Sequence, residues 1–252
     1  MKIKHFVIII TLLVAYNCSK EPQKLRQIEA KQININDSLK EVTEIEEFIK
    51  PKREYIKADL EKILCYNPTY LSKKGNNLNS ALGNLMADIV YEQANPIFNE
   101  RTGKNIDFVL LNYGGIRATI PEGNITTRTA FEVMPFENTI LVAELSYDQL
   151  KDLESYLIEN EKAHPVSQQF HLEFRKDKSV KSFTINKKTP QKNKTYYVAT
   201  SNFLLGGGDH MDFFKEALSV TPVDYLLRKA MIDYFAKQDT LQTSTDKRLY
   251  ID

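Results

Sequence analysis

Cysteine is nearly absent from this chain: there are two in 252 residues, Cys18 and Cys65. A disulfide framework is therefore excluded, and packing has to hold the core. Histidine is scarce too, with four residues, one of them at position 5. Neither sign of charge dominates: 34 Lys and Arg stand against 33 Asp and Glu, a formal net charge of +1. That balance gives no electrostatic case for nucleic-acid binding. Glycine is sparse at nine residues, yet two are adjacent in one loop and three in another. Scarcity elsewhere makes those two concentrations informative.

Long apolar runs are also missing, with one short exception. Lys2 and Lys4 precede an apolar stretch from Phe6 to Ala15, followed at once by Asn17-Cys18-Ser19-Lys20. The stretch is too short for a membrane-spanning helix and fits a secretory signal peptide over residues 1–17. A cysteine directly after it marks Cys18 as the candidate lipidation site of a bacterial lipoprotein, although Tyr16-Asn17 is bulkier than the usual small residues. The alternative is an uncleaved signal with an idle Cys18. Processing would remove Lys2 and Lys4 and leave Cys65 as the only thiol. The expected location is exported and membrane-anchored, on the periplasmic or cell-surface side.

Residues 18–37 read as the lipidated cysteine and a polar tether, ending in a short strand around Ile33-Asn34-Ile35. Asn36 or Asp37 is a candidate helix cap. Val42, Ile45, Phe48 and Ile49 then recur at helical spacing, and Ile56, Leu60, Ile63 and Leu64 resume it beyond Pro51, which predicts a bend or break. Asn79 or Ser80 opens a helix striped by Leu82, Leu85, Met86, Ile89 and Val90, with Asn95-Pro96 and Thr102-Gly103 as its end signals. Residues 106–111 form an apolar run suited to a buried strand. Further expectations are a short helix at 127–133, a strand at 139–145, a serine-capped helix over 146–158, strands at 170–174, 180–185 and 196–200, and a last helix at 223–236. Together these describe an α+β single domain over residues 38–252, with a mixed β-sheet and flanking helices.

Three loops carry the chemistry. Asn202-Phe203-Leu204-Leu205-Gly206-Gly207-Gly208-Asp209 combines an aromatic ring, a backbone free of side chains and a carboxylate. Phe203 offers a stacking face, Gly207 and Gly208 permit close approach, and Asp209 offers acceptors for sugar hydroxyls. Asn112-Tyr113-Gly114-Gly115-Ile116-Arg117 follows the apolar strand, where α/β sheets commonly hold ligands. Pro135-Phe136-Glu137-Asn138 is the third. Each residue has a plainer alternative. The phenylalanines could be core, Arg117 could brace its own loop, and Asp209 could cap the next helix, since Met211-Asp212-Phe213-Phe214 follows. Ser80 and Asp88 read as structural, and His171 and His210 as surface or loop residues.

These loops, with Ser80-Ala81-Leu82-Gly83-Asn84-Leu85-Met86-Ala87-Asp88 before them, resemble the C-terminal, substrate-binding domain of the 5'-nucleotidase family. The four motifs stand in the family's order, and the resemblance runs from about Ser38 to the end. It implies that Phe136 and Phe203 sandwich a nucleobase, that Asn138 hydrogen-bonds the base, that Asp209 binds ribose hydroxyls and that Arg117 meets the phosphate. Asn112, Gly114, Gly115, Gly207 and Gly208 complete the implied substrate-binding set. Three positions depart from the pattern. Asn76 stands where an arginine is common, with Lys73 and Lys74 nearby. His210 replaces the glycine usual after the aspartate, with Gly206 as the candidate to absorb the backbone change. Gln168 replaces a third glycine.

The resemblance also implies a two-metal phosphohydrolase, a centre needing several Asp, His and Asn ligands around ions about 4 Å apart. The chain has no Asp-x-His and no Asn-His-Glu cluster. No catalytic residue, metal ligand or cofactor is therefore assigned to it, and the divalent metals are expected on a separate metallophosphoesterase chain. The expected ligand is a nucleoside monophosphate or nucleoside. Two functions follow: the nucleotide-binding half of a split 5'-nucleotidase-type hydrolase acting in nucleotide catabolism, or a non-catalytic surface lipoprotein that captures nucleosides and nucleotides.

Overall fold

The computed structural model describes residues 25–252, and the chain divides into two units, residues 1–49 and 50–252. The expected signal peptide, Cys18 and the first part of the expected tether lie outside the described residues. In the first unit, residues 25–42 are exposed. The strand expected at Ile33–Ile35 does not form, because no neighbouring strand supplies ladder partners there. Asn36 organises a turn instead of a helix: its carbonyl accepts from the Leu39 N–H at 3.1 Å and its side chain from the Ser38 N–H at 3.0 Å. Helix α1 (Thr43–Leu60) is continuous through Pro51, so the chain does not break there into two helices. Proline removes one intrahelical hydrogen bond, and the helical spacing on either side carries the helix across it. No residue of α1 is buried.

The second unit runs β1 (Ile63–Asn67), α2 (Ala81–Thr102), β2 (Phe108–Val109), β3 (Gly123–Thr126), α3 (Thr127–Val133), β4 (Thr139–Leu145), α4 (Tyr147–Asn160), β5 (Phe170–Phe174), β6 (Val180–Ile185), β7 (Tyr196–Ser201), the single turn α5 (Asn202–Leu205), β8 (Ser219–Leu226), α6 (Leu227–Phe235) and β9 (Leu249–Ile251). Ile63 and Leu64, expected at the end of a helical run, belong to β1, which pairs antiparallel with β3. The first four residues of the expected last helix, 223–226, belong to β8, an edge strand antiparallel to β4. Pro222 is tolerated in it because an edge strand leaves one side of its backbone unpaired.

Local signals explain the helix limits. The Ser80 hydroxyl accepts from the Gly83 N–H at 2.9 Å and caps α2, which passes through Pro96 and stops at Gly103 (φ 69°). Ser146 and Gln149 form a capping box at the start of α4.

The central sheet has the order β2-β7-β4-β8, with β2 and β7 parallel and β4 antiparallel to both β7 and β8. Both of its faces are apolar. Val109, Val142 and Ala199 face a core built with α2, α3 and α6. Phe108, Ala143 and Val198 face a second core built with α4 and the sheet β6-β5-β9. This alternation is the two-residue period of strands buried on both faces.

Strand polarity then gathers the loops. The C-terminal ends of parallel β2 and β7 lie at one edge of the sheet. β4 runs the other way, so its first residues lie at that same edge, with Ile140 opposite Ser201. β8 ends there as well, with Leu226 opposite Thr139. The Asn112 loop, the Phe136 loop and the Phe203 loop therefore emerge side by side, although 21 to 92 positions separate their arginine, asparagine and aspartate in the chain.

Candidate nucleotide-binding site

One cavity of about 240 Å³ opens at that edge, lined by Asn112, Gly114, Gly115, Arg117, Phe136, Asn138, Phe203 and Asp209. Phe136 and Phe203 are 41% and 45% exposed. An apolar ring left half in water beside a cleft is available to a ligand in a way that a core phenylalanine is not.

Gly207 and Gly208 do not line the cavity; they support it from behind. A Cβ on Gly208 would fall 2.4 Å from the Phe203 ring, so the bare backbone makes room for that ring. Gly207 has φ 84°, a conformation that suits glycine, and lies against the Lys215 side chain. Gly115 is needed for close approach too: a Cβ there would meet the Asn112 Oδ1 at 2.8 Å.

The Phe203 loop is pinned to its neighbour. Asn202 Oδ1 accepts from the Thr139 N–H at 3.1 Å, and the Ser201 hydroxyl caps α5. The Leu227 N–H donates to the Asn138 carbonyl at 2.9 Å. Arg228, at the start of α6 and 7% exposed, holds the Phe136 loop from beneath. Its Nη1 donates to the Met134 and Phe136 carbonyls, both at 3.2 Å, and its Nη2 pairs with Glu137. The guanidinium also sits 4.1 Å from the Phe131 ring centroid.

Cations gather at the Asn112 loop. Arg117 is exposed, donates weakly to the Gly114 carbonyl at 3.4 Å and lies 5.9 Å from the Phe136 ring centroid. Lys73 Nζ donates to the Ile116 carbonyl at 2.7 Å and rests over the Tyr113 ring. Partial burial, then the charges of Arg117 and Lys74, hold the Lys73 pKa below its ordinary value. Of the two lysines considered in place of an arginine at Asn76, Lys73 reaches this loop. Lys74 and Asn76 line a separate open cavity with Tyr70 and Tyr250.

Asp209 and His210 both adopt left-handed backbone, φ 53° and 60°. Gly206 has an ordinary φ of −73°. The backbone change expected to fall on Gly206 is thus borne by His210 itself. Asp209 does not cap the next turn; Met211 occupies that position, with no side-chain cap. Asp88 is structural: it accepts from Arg248 at 2.7 and 2.8 Å and from the Gln168 N–H at 3.0 Å.

Sequence reasoning missed three residues around the cavity: Arg228, Tyr156 and His164. Arg228 carried one available signal, a charge between the apolar positions Leu227 and Met231 of a helix face. Among the described residues, no three His, Cys, Asp or Glu side chains gather where they could hold a metal ion, and no helix is long and apolar enough to cross a membrane.

Residues 62–216 match the family model described as 5'-nucleotidase, C-terminal domain. The trifunctional nucleotide phosphoesterase protein YfkN of Bacillus subtilis is 35% identical over 156 residues, 54% of this chain and 10% of that protein. The cell wall protein Lmo0130 of Listeria monocytogenes is 31% identical over 159 residues, 58% of this chain and 20% of that protein. The chain thus spans a small fraction of the length of these relatives. In fold it is similar to a 5'-nucleotidase precursor from Thermus thermophilus, with a TM-score of 0.67 at 23% identity, covering 83% of this chain and 43% of that one.

Proposed function

The chain belongs to the 5'-nucleotidase C-terminal domain family, and on that footing we propose that it is the nucleotide-binding half of a 5'-nucleotidase-type phosphohydrolase. The observation that carries this reading is the single cavity shared by Arg117, Phe136, Asn138, Phe203 and Asp209, which come from three separate loops. Phe136 and Phe203 would stack on the base, an interaction tolerant of base identity because every base has a π-face. Asn138 would hydrogen-bond the base edge, and Asp209 the ribose hydroxyls. Arg117 would take the phosphate with bidentate geometry, with Lys73 adding charge beside it. A volume of about 240 Å³ lies just below the usual range for drug-sized ligands, about 300 Å³ upward, which suits a nucleoside held in the cleft with its phosphate at the rim.

The dimetal centre would come from a separate metallophosphoesterase chain. This chain's contribution would be to hold the ester in line for attack, a gain from proximity and orientation. The reading rests on binding loops that are present while, among the described residues, no group of side chains could hold a metal ion. Residues 1–17 would be a signal peptide, Cys18 the lipidated N-terminus, 18–37 a tether and 38–252 the binding domain, anchored outside the cytoplasm. A relative named as a cell wall protein supports an exported location. The test is to mix the purified chain with a metallophosphoesterase, AMP and Mn²⁺. Phosphate release well above that of the partner alone is expected, and release no greater than the partner's would overturn the split-enzyme reading.

A second reading is favoured by the completeness of the cavity within one chain: a surface lipoprotein that captures nucleosides or nucleotides without catalysis. Tight adenosine and AMP binding by calorimetry, with no metallophosphoesterase recovered in a pull-down, is the result that selects it.

A further inference from the structure

Two strained residues stand at the rim of the cavity, and something must hold them. Consecutive non-glycine residues in left-handed backbone, here Asp209 and His210, persist only where the surroundings over-determine them. Beneath them lies a pair of rings. The Tyr156 hydroxyl, from α4, donates to the Asp209 carbonyl at 2.7 Å. The Tyr156 ring packs on His164, centroids 5.7 Å apart, and edge-on against Phe213. His164 is 3% exposed, and its Nδ1 accepts from the Tyr113 N–H at 3.2 Å. Tyr113 precedes Gly114 and Gly115 in the other loop. Each ring therefore holds the main chain of a different ligand loop, and the two rings touch.

We propose that Tyr156 and His164 are positioning residues: a brace of one half-buried and one buried ring that fixes the Asp209 carboxylate and the Asn112–Arg117 backbone relative to each other, and so sets ribose and phosphate recognition together. Neither side chain lines the cavity, so the effect acts through the loops. This rests on the nucleotide-binding reading above. A nucleoside lacking the 2'- and 3'-hydroxyls has nothing there for Asp209 to accept from, and it is the probe that separates positioning from general loosening.

The test uses the full chain and calorimetry with adenosine, 2',3'-dideoxyadenosine and AMP. Tyr156→Phe keeps the ring and removes the donor. It is expected to weaken adenosine about tenfold while changing dideoxyadenosine less than twofold. His164→Leu is expected to weaken AMP about tenfold, and His164→Asn, whose amide oxygen can stand near the Nδ1 position, to recover most of that loss. Equal losses for the two nucleosides in Tyr156→Phe, or an asparagine variant no better than leucine, would overturn the brace. Amide hydrogen exchange gives an arm that needs no ligand. Tyr156→Phe should speed exchange in residues 206–212, and His164→Leu in residues 112–117, with the unfolding midpoint little moved. If the unaltered chain binds none of the three probes, the nucleotide reading fails. The exchange arm then decides the brace alone: unchanged exchange in both segments sinks it, and faster local exchange upholds it.

Discussion

Single residues at the rim work against their own backbone preferences, and this can be measured. His210 holds φ 60°, where an L side chain crowds the main chain and glycine does not. His210→Gly is expected to raise the unfolding free energy by about 1 kcal/mol in urea titrations, because the relieved strain exceeds the entropy that glycine adds to the unfolded chain. Phe203 presents the opposite case. Its ring is half in solvent and contributes little to the core, so Phe203→Ala should leave the denaturation midpoint almost unchanged. Lost stacking should weaken adenosine binding by about 1–3 kcal/mol in calorimetry. A large drop in stability with unchanged binding would show the ring to be structural. Both residues were prominent in the sequence because their types stood inside a glycine loop. The burden on His210 was not, since a sequence lists residues and omits φ.

Elements set where those residues go. α6 begins where β8 ends, and that junction places Arg228 under the Phe136 loop. A buried guanidinium is stabilising only while its donors are met, and its removal leaves the Met134 and Phe136 carbonyls without that partner. Arg228→Met is expected to cost about 2–3 kcal/mol of stability by thermal or urea unfolding, and to weaken AMP binding, because the loop carrying Phe136 and Asn138 loses its support. Periodicity read most elements correctly: the strands at 170–174 and 180–185, the helix at 127–133 and the capped starts at Ser80 and Ser146. It failed where tertiary pairing decides. β1 and β3 exist because they pair with each other, and β8 is a strand because β4 offers it a ladder. An apolar segment of that length fits either helix or strand until a partner is present.

The whole molecule couples the site to acid. Burial pushes the His164 pKa down to about 4, outweighing the Asp209 carboxylate and the Leu111 backbone, which raise it; Lys162 lowers it further. Tyr156 is the other titratable group packed against the ring, and it is neutral throughout the acid range. The folded state therefore resists protonation at His164 while an unfolded histidine takes a proton near pH 6.5. Unfolding binds a proton between those values, so stability falls as pH drops from about 6.5 to 4, by on the order of 3 kcal/mol. Chemical denaturation at stepped pH should show that slope, and His164→Asn should flatten it. Below this window Asp246 loses its pairing with Arg248 as pH falls through its depressed pKa, and adds a further decline of the same sign.

The amino-acid sequence by itself determined which chemical groups a ligand could meet. Two phenylalanines, an arginine, an asparagine and an aspartate sat in glycine-bearing loops whose order matched one family, and side-chain chemistry needs no coordinates to be read. Only the tertiary structure decided that these loops share one cavity. It also decided that Gly208 makes room for the Phe203 ring and Gly207 for the Lys215 side chain instead of touching the cleft, and that Arg228, Tyr156 and His164 stand beneath it. The reason is strand polarity and packing: parallel β2 and β7 and antiparallel β4 bring distant positions to one sheet edge, and the supports beneath the loops act through contacts that have no counterpart in residue order.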